Sequence, residues 1–193
     1  MHNSNRIQIW DPLVRIFHWL LAGSFLTAYL LEDKMLNLHL LAGSIVLGLV
    51  IFRLIWGVMG TKHSRFSDFA CSIRELKQHL HDLLHLRPAH HAGHTPAGGV
   101  MIFVLLTGLL MLSLSGVMLY SLENSSTPFA SLMAGATPGT IMLIENSHTL
   151  IADTLALCVL FHIAGVLVES VLQRQNLIRA MFTGYKTARK EHI

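Results

Sequence analysis

Charged residues are scarce in this chain, and their scarcity defines the class of protein. Asp, Glu, Lys and Arg make up 13% of the 193 residues, whereas a soluble domain has roughly a quarter. Hydrophobic residues account for 52%, and the mean hydropathy is +0.53. These values exclude an ordinary soluble domain and predict an integral membrane protein. The net charge of +3 gives no indication of a nucleic-acid partner.

Cysteine is also scarce, and the two present are far apart. Cys71 and Cys158 form no CxxC pair. This excludes a disulfide framework, a zinc ribbon and the CxxCH motif for covalent haem attachment. We therefore interpret both as small packing residues.

Four apolar segments are long enough to cross a bilayer as helices, which takes about 20 residues. They cover about 14–31, 38–59, 97–120 and 147–173. Between the second and third, residues 72–86 have leucines at helical spacing and predict an amphipathic helix on the cytoplasmic membrane surface. We interpret the first segment as a retained span, because no cleavage motif follows it. Residues 121–146 are expected to form a loop. The predicted fold is all-α, a single-domain bundle of four transmembrane helices.

The basic residues predict the orientation of these spans. Thirteen of the fourteen Lys and Arg residues fall on one side of the four-span topology, and Lys34 alone falls on the other. Basic residues mark the cytoplasmic side. Both termini are therefore expected in the cytoplasm.

Four histidines lie within the spans, and their depths form a pattern. His18 and His162 lie toward the cytoplasm, whereas His39 and His148 lie toward the outside. His148 and His162 are fourteen residues apart on one helix, which brings them to nearly the same face with a rise of about 21 Å. The spacing predicts two stacked sites, each made of two histidines at matched depth. The alternative is four separate packing histidines.

Two facing imidazoles suit a haem iron, because the porphyrin supplies the four remaining nitrogens. A zinc site needs about four protein ligands, and no Cys, Asp or Glu is placed to complete one. Arg53 lies fourteen residues after His39 and shares its face. Arg53 and Arg15 are therefore candidates for pairing with haem propionates. A snorkelling arginine is the alternative for Arg53.

Five segments between about Arg6 and Lys186 carry a family resemblance: WDPLVRIFHWLL, LHLLAGSIVLGLVIFRLIWG, HSRFSDF, GHTPAGG and SHTLIADTLALCVLFHIAGVLVES. In these segments the chain resembles the prokaryotic cytochrome b561 family, which includes the cytochrome b subunits of nickel–iron hydrogenases. It implies a bacterial inner-membrane protein with two non-covalent haem b groups and a quinone as substrate. The family's axial ligands match His18, His39, His148 and His162.

The resemblance leaves the redox partner and the enzymatic status open. Family members serve hydrogenases, periplasmic c-type cytochromes or superoxide directly. The leading hypothesis is electron transfer between quinone and a partner protein. A stand-alone superoxide–quinone oxidoreductase and a haem-free metal transporter are the alternatives.

Several other polar residues attract attention. A further metal site is an open alternative, because seven histidines lie in the cytoplasmic loop: His63, His79, His81, His85, His90, His91 and His94. Asp153 and Glu169 are carboxylates within the fourth span. Each is interpreted either as part of a proton route to quinone or as a carboxylate that contacts another helix.

Overall fold

Long helices dominate the computed structural model, which describes residues 6–31, 35–61, 64–85 and 95–187. Four of these helices are long and apolar enough to cross a membrane, which confirms the all-α fold class. The elements are β1 (Arg6–Gln8), α1 (Pro12–Leu31), α2 (Leu36–Met59), a 3₁₀ turn (Phe66–Asp68), α3 (Ile73–Leu84), α4 (Pro96–Tyr120), α5 (Ala130–Met133), α6 (Pro138–Leu172), α7 (Leu177–Thr183) and β2 (Tyr185–Thr187).

Three of the long helices begin in the same way, with a proline preceded by a capping side chain. Before Pro12, Asp11 Oδ1 accepts the Val14 N–H at 2.9 Å. Before Pro96, Thr95 accepts from Gly98 at 3.2 Å, and before Pro138, Thr137 accepts from Thr140 at 3.3 Å. Proline suits the first helical turn, where its missing N–H costs nothing, and the caps satisfy exposed N–H groups.

Helix α6 begins earlier than the sequence analysis predicted. It starts at Pro138 rather than at about residue 147, so the expected loop 121–146 is partly helical. The short helix α5 also lies in this segment. The Thr137–Pro138 pair is the helix-start signal that the hydropathy pattern did not include.

The amphipathic helix expected at 72–86 is present as α3. Ser72 and Glu75 form a reciprocal capping box at its N-terminus, which satisfies two N–H groups that would otherwise lack partners.

A two-stranded antiparallel ribbon joins the two ends of the chain and was not predicted. β1 pairs with β2 so that Gln8 lies opposite Tyr185. Gly184 precedes β2 with φ +88°, and its carbonyl accepts the N–H groups of Ile9 and Trp10. This backbone conformation favours glycine, because other residues are strained there.

The chain forms two compact units, which are described separately. The terminal unit comprises Met1–Leu20, Arg53–Phe103 and Leu160–Ile193, and the central unit comprises Leu21–Phe52 and Val104–Val159. In the central unit the core consists of apolar side chains from α2, α4 and α6, namely Val46, Val50, Leu109 and Leu155.

In the terminal unit, Asp11 joins the start of α1 to the segment that follows α2. Its Oδ2 accepts hydrogen bonds from Thr61 at 2.6 Å, Ser64 at 2.7 Å and the Trp56 indole at 3.3 Å. Burial raises the pKa of Asp11, but these hydrogen bonds outweigh it and hold the pKa below its ordinary value. The ionised carboxylate is therefore the form that the fold favours.

Candidate haem sites

The central unit brings His39 of α2 and His148 of α6 face to face. Their ring centres are 6.1 Å apart, and the ring planes make an angle of 66°. His39 lies on the face of α2 that carries the buried residues Ala42, Val46 and Val50. The two outer histidines that the sequence predicted as a pair are thus brought together.

Hydrogen bonds fix the orientation of both rings. His39 Nδ1 lies 2.9 Å from the Ala28 carbonyl, and because a carbonyl can only accept, Nδ1 carries the proton. His148 Nδ1 lies 2.9 Å from the Ser115 hydroxyl, whose own hydrogen goes to the Leu112 carbonyl at 2.9 Å. Ser115 must therefore accept from His148 Nδ1. Both rings keep the Nε2 lone pair for a metal, as metal-bound histidines commonly do.

A glycine on α4 makes room for one of these rings. A Cβ atom at Gly116 would lie 3.1 Å from His148 Cε1, which is closer than ordinary van der Waals contact. Any larger residue at position 116 therefore competes with the imidazole for space.

The terminal unit brings together the second predicted pair, His18 of α1 and His162 of α6. Their ring centres are 6.4 Å apart, with the planes at 49°. Trp19 contacts His18 edge-on with ring centres 5.0 Å apart, and Trp19 stacks on Phe182 of α7 at 4.2 Å. His18 Nδ1 is buried, and no described residue satisfies it by a hydrogen bond.

Both pairs fit an iron bound between two imidazoles. An imidazole nitrogen binds a metal at about 2.0 Å, and the ring centre lies about 1.1 Å further away, so two rings on opposite sides of one iron have centres about 6.2 Å apart. The observed separations of 6.1 and 6.4 Å match this value.

The two arginines predicted as propionate partners both lie in the terminal unit. Arg53 is only 3% exposed, and its guanidinium carbon lies 4.8 Å from the centre of the Phe66 ring. Arg15 donates a hydrogen bond to the Phe182 carbonyl. Arg53 Nη1 and Arg15 Nε are buried, and within the described part of the chain neither has a hydrogen-bond acceptor. The Asp11 carboxylate is close enough to act on the Arg53 charge, but the two nitrogens still lack hydrogen-bond acceptors. Buried polar groups are normally hydrogen-bonded, and a carboxylate of a bound group would meet that need.

Comparison with known proteins shows the family to which this chain belongs. The model of the family described as prokaryotic cytochrome b561 matches residues 9–184. The chain belongs to this family. Membership implies haem b and a role in membrane electron transport, as the sequence analysis expected.

Three curated relatives of this cytochrome are each described as a probable Ni/Fe-hydrogenase B-type cytochrome subunit. The protein from Rhizobium leguminosarum bv. viciae is 24% identical over 209 residues, covering 92% of this chain and 87% of the relative. The protein from Rhodobacter capsulatus is 21% identical over 220 residues, covering 97% and 84%. The protein from Bradyrhizobium diazoefficiens is 23% identical over 214 residues, covering 95% and 87%. No solved structure matches the chain.

The two carboxylates of the fourth span have different surroundings in this cytochrome. In the central unit Tyr29 of α1 donates to Asp153 Oδ1 at 2.9 Å, which supports the interpretation of Asp153 as a contact between helices. In the terminal unit Glu169 is buried and lies 3.1 Å from His79 Nε2. The sequence analysis gave His79 no specific partner.

The loop histidines give no metal cluster where the structure describes them. The rings of His81 and His85 stack with centres 4.1 Å apart, and His85 Nδ1 lies 2.8 Å from the His81 carbonyl. Among the described residues, no three His, Cys, Asp or Glu side chains converge as a metal site would require. His63, His90, His91 and His94 lie outside the described residues.

Sequence reasoning missed the groups that orient the ligands. Ser115 lies in an apolar helix without a histidine, and Ala28 acts through its backbone carbonyl. A signal for Ser115 existed, since a serine inside a membrane-spanning helix often bonds to a neighbouring helix. The side chain of Ala28 carries no such signal.

Proposed function

We propose that this protein is a single-domain, dihaem b-type cytochrome that carries electrons across the bacterial inner membrane. In this proposal His18 and His162 hold one haem b, and His39 and His148 hold the other. The supporting observation is that each unit contains one histidine pair with the separation that an intervening iron requires. Helix α6 contributes one ligand to each pair.

A haem b group held by each histidine pair would supply one-electron transfer rather than oxygen chemistry. Other residues of the protein hold the histidine rings in the orientation that this role needs. The Ala28 carbonyl and the Ser115 hydroxyl keep His39 and His148 in the tautomer that presents Nε2. The stacked Trp19 and Phe182 rings support His18 from α1 and α7.

In the same proposal Arg15 and Arg53 hold the propionates of the haem in the terminal unit. Their buried nitrogens without acceptors support this assignment. A fixed cation beside an iron stabilises its less positive, reduced form. The two arginines are therefore expected to raise the reduction potential of the centre held by His18 and His162.

The redox partner that we propose is a hydrogenase, with a quinone at the other end of the electron path. The supporting observation is that three curated relatives, each aligned over more than nine-tenths of this chain, are described as hydrogenase subunits. A periplasmic c-type cytochrome is the other partner to test. The Lys and Arg distribution supports cytoplasmic termini.

The visible spectrum and haem content of the purified protein test the haem assignment. We expect a b-type spectrum with about two haems per chain. His39→Ala and His162→Ala should each remove one haem, and they should remove different ones. The exposed His81 provides a control, because His81→Ala should retain both. A colourless protein, or two variants that lose the same haem, would refute the assignment.

The partner assignment needs a separate test, with the holoprotein in membranes. Reduction of the haems by hydrogen in the presence of the matching hydrogenase, and their reoxidation by a soluble quinone, is the expected result. Haem reduction by superoxide alone, with no hydrogenase present, would instead support the stand-alone enzyme.

A further inference from the structure

The terminal unit contains a buried polar cluster that haem ligation does not use. Glu169 of α6 is 8% exposed, and His79 of α3 is 6% exposed. His79 Nε2 lies 3.1 Å from Glu169 Oε1, and the Gln173 side chain donates to Glu169 Oε2. Both carboxylate oxygens are thus engaged inside the protein. A buried carboxylate is costly unless it is hydrogen-bonded and paired.

A third protonatable group, Lys186 of β2, is close enough to this cluster to be affected by its charge. Burial lowers the pKa of Lys186, and the Glu169 charge partly offsets this effect. The titratable groups that surround Glu169 therefore come from two other elements, with His79 on α3 and Lys186 on β2. Such a group of three can take up or release a proton with a small change in buried charge.

The cluster lies on the same helix as a proposed iron ligand. Glu169 follows His162 by seven residues, which places it two turns further along nearly the same face of α6, with a rise of about 10 Å. At this distance, and with the effective dielectric constant of a protein interior, one added charge changes a proton-binding equilibrium by about tenfold. A change of charge at a centre held by His162 would therefore act on the Glu169 carboxylate.

We propose that the His79–Glu169 pair is a proton-loading site for the centre held by His18 and His162. This inference rests on the proposed function. Reduction of a centre held there would shift the pair toward its protonated form, with the proton coming from the adjacent aqueous phase. An N–H or O–H bond forms on the pair as an O–H bond of a hydronium ion breaks. Reoxidation would reverse the step and return the proton to water.

Proton uptake during electrochemical reduction of the purified holoprotein tests this site. A pH-indicator dye reports the protons, and the infrared difference spectrum reports the carboxyl group. We expect net proton uptake when the unmodified protein is reduced, at most about half a proton per chain, which is the most that a tenfold change in a proton-binding equilibrium can give. Glu169→Gln keeps hydrogen-bonding atoms at the site but removes the charge, and it should abolish this part of the uptake. Glu145→Gln is the matched control, since Glu145 is exposed on the same helix.

His79→Gln is the second variant, and it covers the case in which Glu169→Gln fails to assemble. It should retain a hydrogen bond to Glu169 but reduce the proton uptake. Unchanged uptake in an assembled variant would overturn the inference and leave the pair as a structural link between α3 and α6. The optical spectrum distinguishes this outcome from failure of the proposed function, because both haem signals would remain.

Discussion

The hydrogen bond from His148 to Ser115 allows a quantitative prediction for the central haem site. The Ser115 hydroxyl accepts the His148 Nδ1–H at 2.9 Å and donates its own hydrogen to Leu112. Ser115→Ala removes this acceptor and leaves the Leu112 carbonyl as the remaining acceptor for His148. The His148 ring then keeps its tautomer but loses one of the two contacts that fix its orientation.

The magnitude follows from the effect of losing a group that orients a metal ligand. Mutation of such a group lowers metal affinity by about 10–100-fold. We therefore expect Ser115→Ala to weaken haem retention at the His39–His148 pair by about 10–100-fold. Retention at the His18–His162 pair should not change.

Haem transfer from the purified protein to an excess of a haem-scavenging protein measures this effect. Ser115→Thr should restore retention, because it keeps the hydroxyl. Ser113→Ala is the matched control, since Ser113 lies two residues earlier on the same helix. If Ser115→Ala releases haem no faster than Ser113→Ala does, the proposed role of Ser115 in orienting His148 is refuted.

Three further predictions concern the two sites and the fold. Gly116→Ala should displace the His148 ring, because its Cβ would lie 3.1 Å from Cε1, and the haem spectrum of the central pair should change while that of the terminal pair does not. Arg53→Leu should lower one midpoint in a redox titration and Arg53→Lys should do so less, whereas two unmoved midpoints would contradict the propionate assignment. The pKa of Asp11 lies below its ordinary value of 3.8, so the stability that its carboxylate provides is complete above about pH 4 and is lost as pH falls through the lowered pKa. Thermal unfolding followed at decreasing pH should show this loss in the unmodified protein, and Asp11→Asn should lack it.

The histidine pairing could be predicted from the sequence because it depends on depth alone. Alternate spans run in opposite directions, so the position of a histidine along its span gives its depth. The structure brings together the same pairs, His39 with His148 and His18 with His162. The placement of Arg53 on the buried face of α2 follows from the same helical periodicity.

Contacts that depend on the rotation of helices could not be predicted in this way. The bond from His148 to Ser115 needs α4 to turn a particular face toward α6, and α4 is apolar on all sides. The pairing of Gln8 with Tyr185 joins strands of three residues at opposite ends of the chain. Strands this short have no periodic pattern, and packing of the helix ends decides whether they meet.

The surroundings of the two histidine pairs differ in charge, and this difference predicts which of the two haems has the higher reduction potential. Neutral acceptors, the Ala28 carbonyl and the Ser115 hydroxyl, take the Nδ1–H groups of the central pair. Such bonds make a ligand more basic and stabilise oxidised iron.

The terminal pair lies in the unit that holds Arg15 and Arg53, whose charges favour reduced iron, while the hydrogen-bonded carboxylates of Asp11 and Glu169 act against them. The arginines at the terminal pair and the neutral acceptors at the central pair act in the same direction, so the terminal haem should have the higher midpoint potential. His162→Ala should then remove the higher of the two midpoints, and His39→Ala the lower. The opposite assignment would mean that the arginine charges are neutralised by groups other than the haem, and the electrons would come to rest at the central pair.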